Sequence, residues 1–157
     1  FLGYSVGSAP IISFHFGAQN HGELRNLFRK SLLVVGVCSV VMVMAAVLLS
    51  GPLSGIFVGY DRGLYELTRH GLSLYSVAFL FMGMNIFGSA FFTALNDGAV
   101  SAAISFLRTL LFQVIAVLAL PALIELDGIW LAIVVAEGAA LAVTVLLFVK
   151  MKQKYHY

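Results

Sequence analysis

Charge is what this chain has least of: 10% of its residues are Asp, Glu, Lys or Arg, against 61% hydrophobic, and the mean hydropathy is +1.02. A soluble globular domain carries about 25% charged residues, so water is excluded as the main solvent. Cysteine is scarcer still. Cys38 stands alone in an apolar run, which excludes an internal disulfide and reads as a small core residue. The spacings that carry catalysis are also missing. His15, His21, His70 and His156 form no HExxH or HxxxH pair, no GxSxG or P-loop occurs, and the acids are unpaired. No catalytic residue and no metal ligand is assigned, and the chain is not read as an enzyme. Its net charge of +2 comes from cations at the ends of apolar runs, where orientation and anionic lipid explain them better than nucleic acid does.

What is present is a series of apolar runs. Residues 31–60 and 70–96 contain no Asp, Glu, Lys or Arg, and about 20 helical residues suffice to cross the hydrocarbon core of a bilayer. Residues 99–123 and 128–149 are equally apolar apart from Arg108 and Glu137. The fold class expected is therefore all-α, a polytopic bundle in the lipid bilayer. Its complete spans are expected near 31–50, 71–95, 99–123 and 128–149. Residues 1–16 lack a basic leader and a small-residue cleavage site, so they read as the end of one more helix. On this reading the chain is the C-terminal part of a longer membrane protein.

Lys and Arg set the orientation. Arg25, Arg29 and Lys30 share one side with Lys150, Lys152 and Lys154, while Arg62 and Arg69 on the other side are offset by Asp61 and Glu66. The positive-inside rule then puts the 17–30 loop and the C-terminus in the cytoplasm of a multi-pass cell-membrane protein. In that loop Asn20 is an expected N-cap with Glu23 three residues on. Leu24, Leu27 and Phe28 share one helical face opposite Arg25 and Arg29, as in a short interfacial helix. "SGPLSG" is expected to stop the 31–50 span, and residues 60–71 to form an external amphipathic connector. "LNDG" reads as a tight reversal, resembling the "GAQNHG" turn. "LDGIW" reads as another reversal, with Asp127 as a cap and Trp130 at interface depth.

Polar residues inside the spans are the functional candidates, since each costs a few kcal/mol at mid-bilayer unless it faces protein or water. Asn85, Arg108 and Glu137 lie roughly 14 to 18 Å from the cytoplasmic ends at 1.5 Å per residue, as one layer would require. Arg108 and Glu137 sit on consecutive antiparallel helices and can neutralise each other. Two polar stripes follow helical periodicity: Ser101, Ser105, Arg108 or Thr109, and Gln113 on one helix, Asn85, Ser89, Thr93 and Asn96 on its neighbour. Interhelical hydrogen bonding and a water-filled pathway both want such stripes. Pro10 removes a backbone hydrogen bond seven residues before Gly17 and is a candidate hinge.

"APIISFHFGAQN", continuing to "LFRK", resembles the connection between the eighth and ninth helices of multidrug and toxic compound extrusion (MATE) transporters. "SFLRTLLFQVIAVLALPAL" followed by "LDGIWLAIVVAE" is similar to that family's last two helices. The resemblance implies a twelve-helix protein of two lobes, with this chain covering the end of helix 8 and helices 9 to 12. It also implies a missing N-terminal lobe as partner and small amphipathic or cationic substrates, drugs included, exported by Na⁺ or H⁺ antiport with alternating access. Some members place cation-binding acids in helices 7 and 10. The 72–95 helix has none, which implies that the coupling ion binds mainly elsewhere and that no other cofactor is needed. Pro10, Gly17, Asn20, Arg108 and Glu137 carry over as packing and gating positions. Two alternatives remain: a lipid-linked oligosaccharide flippase of the same superfamily, which wants a more cationic cavity, and a non-transporting membrane scaffold, which needs no charge at mid-membrane.

Overall fold

The computed structural model describes all 157 residues, Phe1–Tyr157, as helices joined by short turns, with no strand. Helix α1 spans Leu2–Gly17 and runs unbroken through Pro10. Helix α2 spans His21–Val58, α3 spans Arg62–Ser76 and α4 spans Ala78–Ala94. Helix α5 (Gly98–Phe106) passes through a π-helical stretch (Leu107–Phe112) into α6 (Gln113–Tyr155). By length and composition His21–Val58 and Gly98–Tyr155 can cross a membrane, and α3 with α4 makes a third such segment bent by 42°.

The Gly98–Tyr155 segment is not straight. Arg108 bonds Glu137, 29 residues away, at 2.7 Å, whereas a straight helix would hold them about 44 Å apart. The reversal lies at Ile124 (φ −132°, ψ 26°) and Glu125 (φ 51°, ψ −129°), two residues before the expected "LDGIW" turn. Asp127 is not a cap there; its carboxylate meets His70 Nε2 at 2.9 Å. Gly128 makes the fold-back possible, because a Cβ at that position would collide with the Leu120 backbone.

Two turns share one geometry. At the first, Ala18, Gln19 and Asn20 donate backbone N–H bonds to Phe14, Phe16 and His15; at the second, Leu95, Asn96 and Asp97 donate to Phe91, Thr93 and Phe92. Both are Schellman closures, with one left-handed residue and then a cap. The left-handed residues are Gln19 (φ 54°) and Asn96 (φ 60°), not the neighbouring glycines. Asn20 Oδ1 accepts from Glu23 N and Asp97 Oδ1 from Val100 N, each at 3.2 Å. The likeness of "GAQNHG" to "LNDG" is thus a repeated structural device.

Three further sequence expectations are corrected. Pro52 does not stop the 31–50 span, for α2 continues to Val58; Pro removes a single N–H, and the remaining helical bonds stay closed where no water competes for them. The 71–95 span is no single straight helix, since its first turns belong to α3 and the axis bends at Val77. Cys38 is exposed, not a core residue.

Helix α4 is the centre of the bundle and packs against α1, α2, α3, α5 and α6. Its Phe87, Phe91 and Phe92 are buried with Leu95 of the following turn and with Ile12, Leu24, Val35, Ile104, Tyr155 and Tyr157. Phe28 lies 4.8 Å from Phe91, 5.0 Å from Phe148 and 4.7 Å from Tyr157, ring centroid to centroid, in the tilted and edge-on geometries that aromatic rings favour. This aromatic core sits at the end of the bundle where the two Schellman turns meet the C-terminal residues. Small residues let the helices approach elsewhere, with Ala116, Ala132 and Ala136 packed together between the arms of the α6 reversal. The outward faces of α2 and α6 are apolar, including Leu33, Val37, Leu48, Leu146 and Val149, as a lipid-facing surface requires.

Candidate functional site

Asn85, Arg108 and Glu137 come from α4, the π-helical stretch and the returning arm of α6, and they meet. Arg108 Nε donates to Glu137 Oε1 at 2.7 Å. Asn85 Nδ2 donates to Glu137 Oε2 at 2.8 Å and to the Glu137 carbonyl at 3.0 Å. Both carboxylate oxygens are thereby occupied, which is what a carboxylate needs when only 5% of the residue is exposed. Asn85 Oδ1 in turn accepts from Thr144 Oγ1 at 2.9 Å, and the same hydroxyl lies 3.0 Å from the Ala140 carbonyl. Thr144 was not singled out from sequence, although it lies seven residues, two helical turns, beyond Glu137 and so shares its face.

Local structure aims Arg108 at this carboxylate. An i→i+5 turn widens the helix and shifts the following side chains around its axis, and such stretches recur at functional positions. Here the widened segment runs from Leu107 to Phe112 and carries the one cation of the apolar span. Arg108 makes no other side-chain hydrogen bond within the chain, and it lines an open groove of about 220 Å³ with Ser5, Ser89 and Ser105. Ser5 is 2% exposed, and its hydroxyl has no hydrogen-bond partner.

The two polar stripes largely satisfy each other. Ser89 Oγ lies 2.9 Å from Ser101 Oγ and 2.8 Å from Ser105 Oγ, and Thr93 Oγ1 lies 2.7 Å from Ser101 Oγ. This hydroxyl ladder pins α4 to α5, at around 0.6 kcal/mol per pair. The stripes are therefore chiefly packing, although Arg108 with Ser89 and Ser105 also lines an open groove. Gln113 is not part of the cluster. It is partly buried and lines a different cavity of about 430 Å³ with Thr109 and Val117. Pro10 is exposed on α1, in a groove of about 470 Å³ against Ala90, Thr93 and Ala94.

The remaining sequence candidates lie at the end with the Schellman turns. Gly17 closes α1 and Asn20 caps α2; Arg25 and Arg29 are exposed, while Leu24 is buried and Phe28 partly so, as the amphipathic pattern predicts. The C-terminal residues fold back here. Asp97 Oδ2 accepts from Lys154 Nζ at 3.2 Å and from the Tyr155 hydroxyl. The Tyr155 hydroxyl bond is the main force holding the Asp97 carboxyl below its usual range. Tyr155 itself is raised, first by burial and then by that bond, and Lys154 is raised by its contacts with Tyr155 and Asp97. At the opposite end Trp130 packs against Gly71, where a Cβ would collide with the indole ring.

Comparison with known proteins agrees with this architecture. No curated protein and no solved structure matches the chain. The family model described as MatE matches residues 1–118, which include Asn85, the hydroxyl ladder and Arg108. With three quarters of its length matched in sequence, and helices long and apolar enough to span a bilayer, the chain belongs to the MatE family of membrane transporters.

Proposed function

We propose that this chain forms part of the C-terminal lobe of a secondary-active exporter. On this reading it moves small amphipathic or cationic molecules, drugs among them, out of the cell by Na⁺ or H⁺ antiport with alternating access of two lobes. The observation that carries the proposal is the MatE match over a segment holding a single half-buried cation, Arg108, in an otherwise apolar span, paired with the buried Glu137 beyond it. A transporter has use for polar groups at membrane depth, and a scaffold does not. Orientation follows from the charge asymmetry: the end with both Schellman turns carries Arg25, Arg29, Lys150, Lys152 and Lys154, and it is the cytoplasmic face on this proposal.

Within the lobe, Arg108, Glu137, Asn85 and Thr144 act as a fastening between α4, the π-helical stretch and the returning arm of α6. With both Glu137 oxygens occupied, the cluster suits packing and gating better than direct contact with cargo. The coupling ion binds mainly outside it. Pro10 gives α1 a flexible point beside the groove to Thr93, and Pro10→Ala is expected to slow transport at equal expression.

The test is efflux of a fluorescent organic cation from vesicles containing the intact transporter, under separately imposed Na⁺ and H⁺ gradients. Efflux driven by one gradient supports the proposal and identifies the coupling ion. No efflux with either, from folded protein, overturns it in favour of the flippase, to be tested by head-group translocation.

A further inference from the structure

Arg25 and Arg29, near the start of α2, and Lys152, at the end of α6, are more than a hundred residues apart in sequence, yet they line one pocket of about 160 Å³. Its walls include the rings of Phe28, Phe148 and Tyr157. The acidic side chains that contact a basic one do so at Arg62, His70, Arg108 and Lys154, so none of the three pocket cations has an acidic partner. Glu23, the acid nearest in sequence to Arg25, accepts from Asn26 at 3.2 Å and does not line the pocket. Like charges at i and i+4, as at Arg25 and Arg29, repel, and Lys152 adds a third. Orientation by the positive-inside rule requires only that cations lie on one side. It does not require that three converge on a single cavity with an aromatic floor.

We propose that this pocket binds the phosphodiester head group of an anionic phospholipid. The Arg25 and Arg29 guanidinium groups match a phosphate oxygen pair in geometry, and Lys152 supplies a point charge from the facing helix. The floor is rigid: Phe28 packs on Phe148 and Tyr157, and the Tyr157 hydroxyl is fixed by donating to the Phe148 carbonyl at 2.9 Å. That floor accepts the glycerol backbone. Val149 lines the pocket, and with Val145 one turn earlier it forms an exposed apolar track along which an acyl chain can run into the membrane. Basic pockets between transmembrane helices at the membrane surface hold anionic head groups in this way. The site is separate from the Arg108 groove, so it stands or falls independently of the transport reading.

The test uses the delipidated intact transporter in zwitterionic detergent. It is titrated with phosphatidylglycerol, phosphatidylcholine and inorganic phosphate, with retained lipid read by native mass spectrometry and thermal stability followed in parallel. Phosphatidylglycerol is expected to be retained and stabilising, and phosphatidylcholine and inorganic phosphate are not. Neutralising one cation (R25Q, R29Q or K152Q) is expected to weaken phosphatidylglycerol binding about fivefold and neutralising all three about a hundredfold. R62Q/R69Q, at the other end, is expected to change nothing. Equal stabilisation by inorganic phosphate would replace the lipid with a free anion. Undiminished phosphatidylglycerol retention in the triple variant would overturn the site. Should the triple variant fail to fold, loss of phosphatidylglycerol from the wild type between 0.1 and 1 M salt is the decisive reading, because charge pairing is screened and apolar contact is not; retention unchanged by salt counts against the proposal.

Discussion

Removing Arg108 should expose how much of the bundle hangs on one carboxylate. In Arg108→Met, Glu137 keeps only the Asn85 donor at 2.8 Å for a charge on a residue that is 5% exposed. Breaking a buried ion pair from one side costs about 3 to 5 kcal/mol. The Arg108 side chain retains 22% of its exposure beside the groove, so the lower end applies, about 3 kcal/mol. Glu137→Gln is milder. Its carboxamide oxygen still accepts from Asn85, and Arg108 can turn to the groove, for a loss of about 1 to 2 kcal/mol. The double variant leaves no buried charge and should fall within about 2 kcal/mol of wild type, a coupling of roughly 2 to 3 kcal/mol. The assay is equilibrium unfolding of the intact transporter in mixed micelles of increasing denaturing-detergent fraction. Losses that add to within about 0.5 kcal/mol would refute the pairing as a source of stability.

Three further outcomes are expected. Gly88→Ala should destabilise by about 1 to 3 kcal/mol despite alanine's better helix propensity, measured in the same micelles. Its Cβ would sit 2.5 Å from Thr144 Cγ2, and Thr144 is held by bonds to Asn85 and Ala140. Glu125→Gly should raise stability by about 1 kcal/mol, read as a higher unfolding midpoint, because φ 51° with ψ −129° is glycine territory. The third concerns Asp97. Its carboxyl is lowered on folding, so its contribution is complete above the ordinary carboxylate range and disappears as pH falls through the lowered value. Lys154 and Tyr155 are raised, so theirs disappear only as pH climbs through those raised values. Amide protection of residues 150–157 should therefore be flat between about pH 5 and 9 and fall in acid. Asp97→Asn should abolish the acid step while keeping the α5 cap, whereas Asp97→Ala should cost about a further 1 kcal/mol for the cap.

Much of this structure was legible where hydrophobic period and charge position act locally. Asn20 announces its cap by the spacing to Glu23, and Leu24 and Phe28 announce the buried face of α2. Arg108 and Glu137 announce each other because a lone charge in an apolar helix needs a partner. What was not legible depends on geometry that one sequence period cannot encode. Pro52 forfeits one hydrogen bond whether a helix ends or continues, so composition cannot say that α2 reaches Val58. The bend at Val77 and the π-helical stretch at Leu107–Phe112 leave hydropathy unchanged. Gln19 and Asn96 take the left-handed positions that glycine nearby would be expected to fill. Thr144 was overlooked because a single threonine in a membrane helix ordinarily bonds its own backbone. It does so here as well, while also fixing Asn85.

Fold and function are joined by one claim, that the Arg108–Glu137 layer fastens and gates the helices and does not hold cargo. Measuring maximal efflux rate and half-saturating substrate concentration for Glu137→Gln, in vesicles with equal amounts of folded transporter, tests it directly. An altered maximal rate at an unchanged half-saturating concentration is predicted, with the dependence on the driving ion intact. A half-saturating concentration raised about tenfold or more at a preserved maximal rate would place substrate on Glu137. A loss of pH dependence would make Glu137 a proton relay, and either result would contradict the claim.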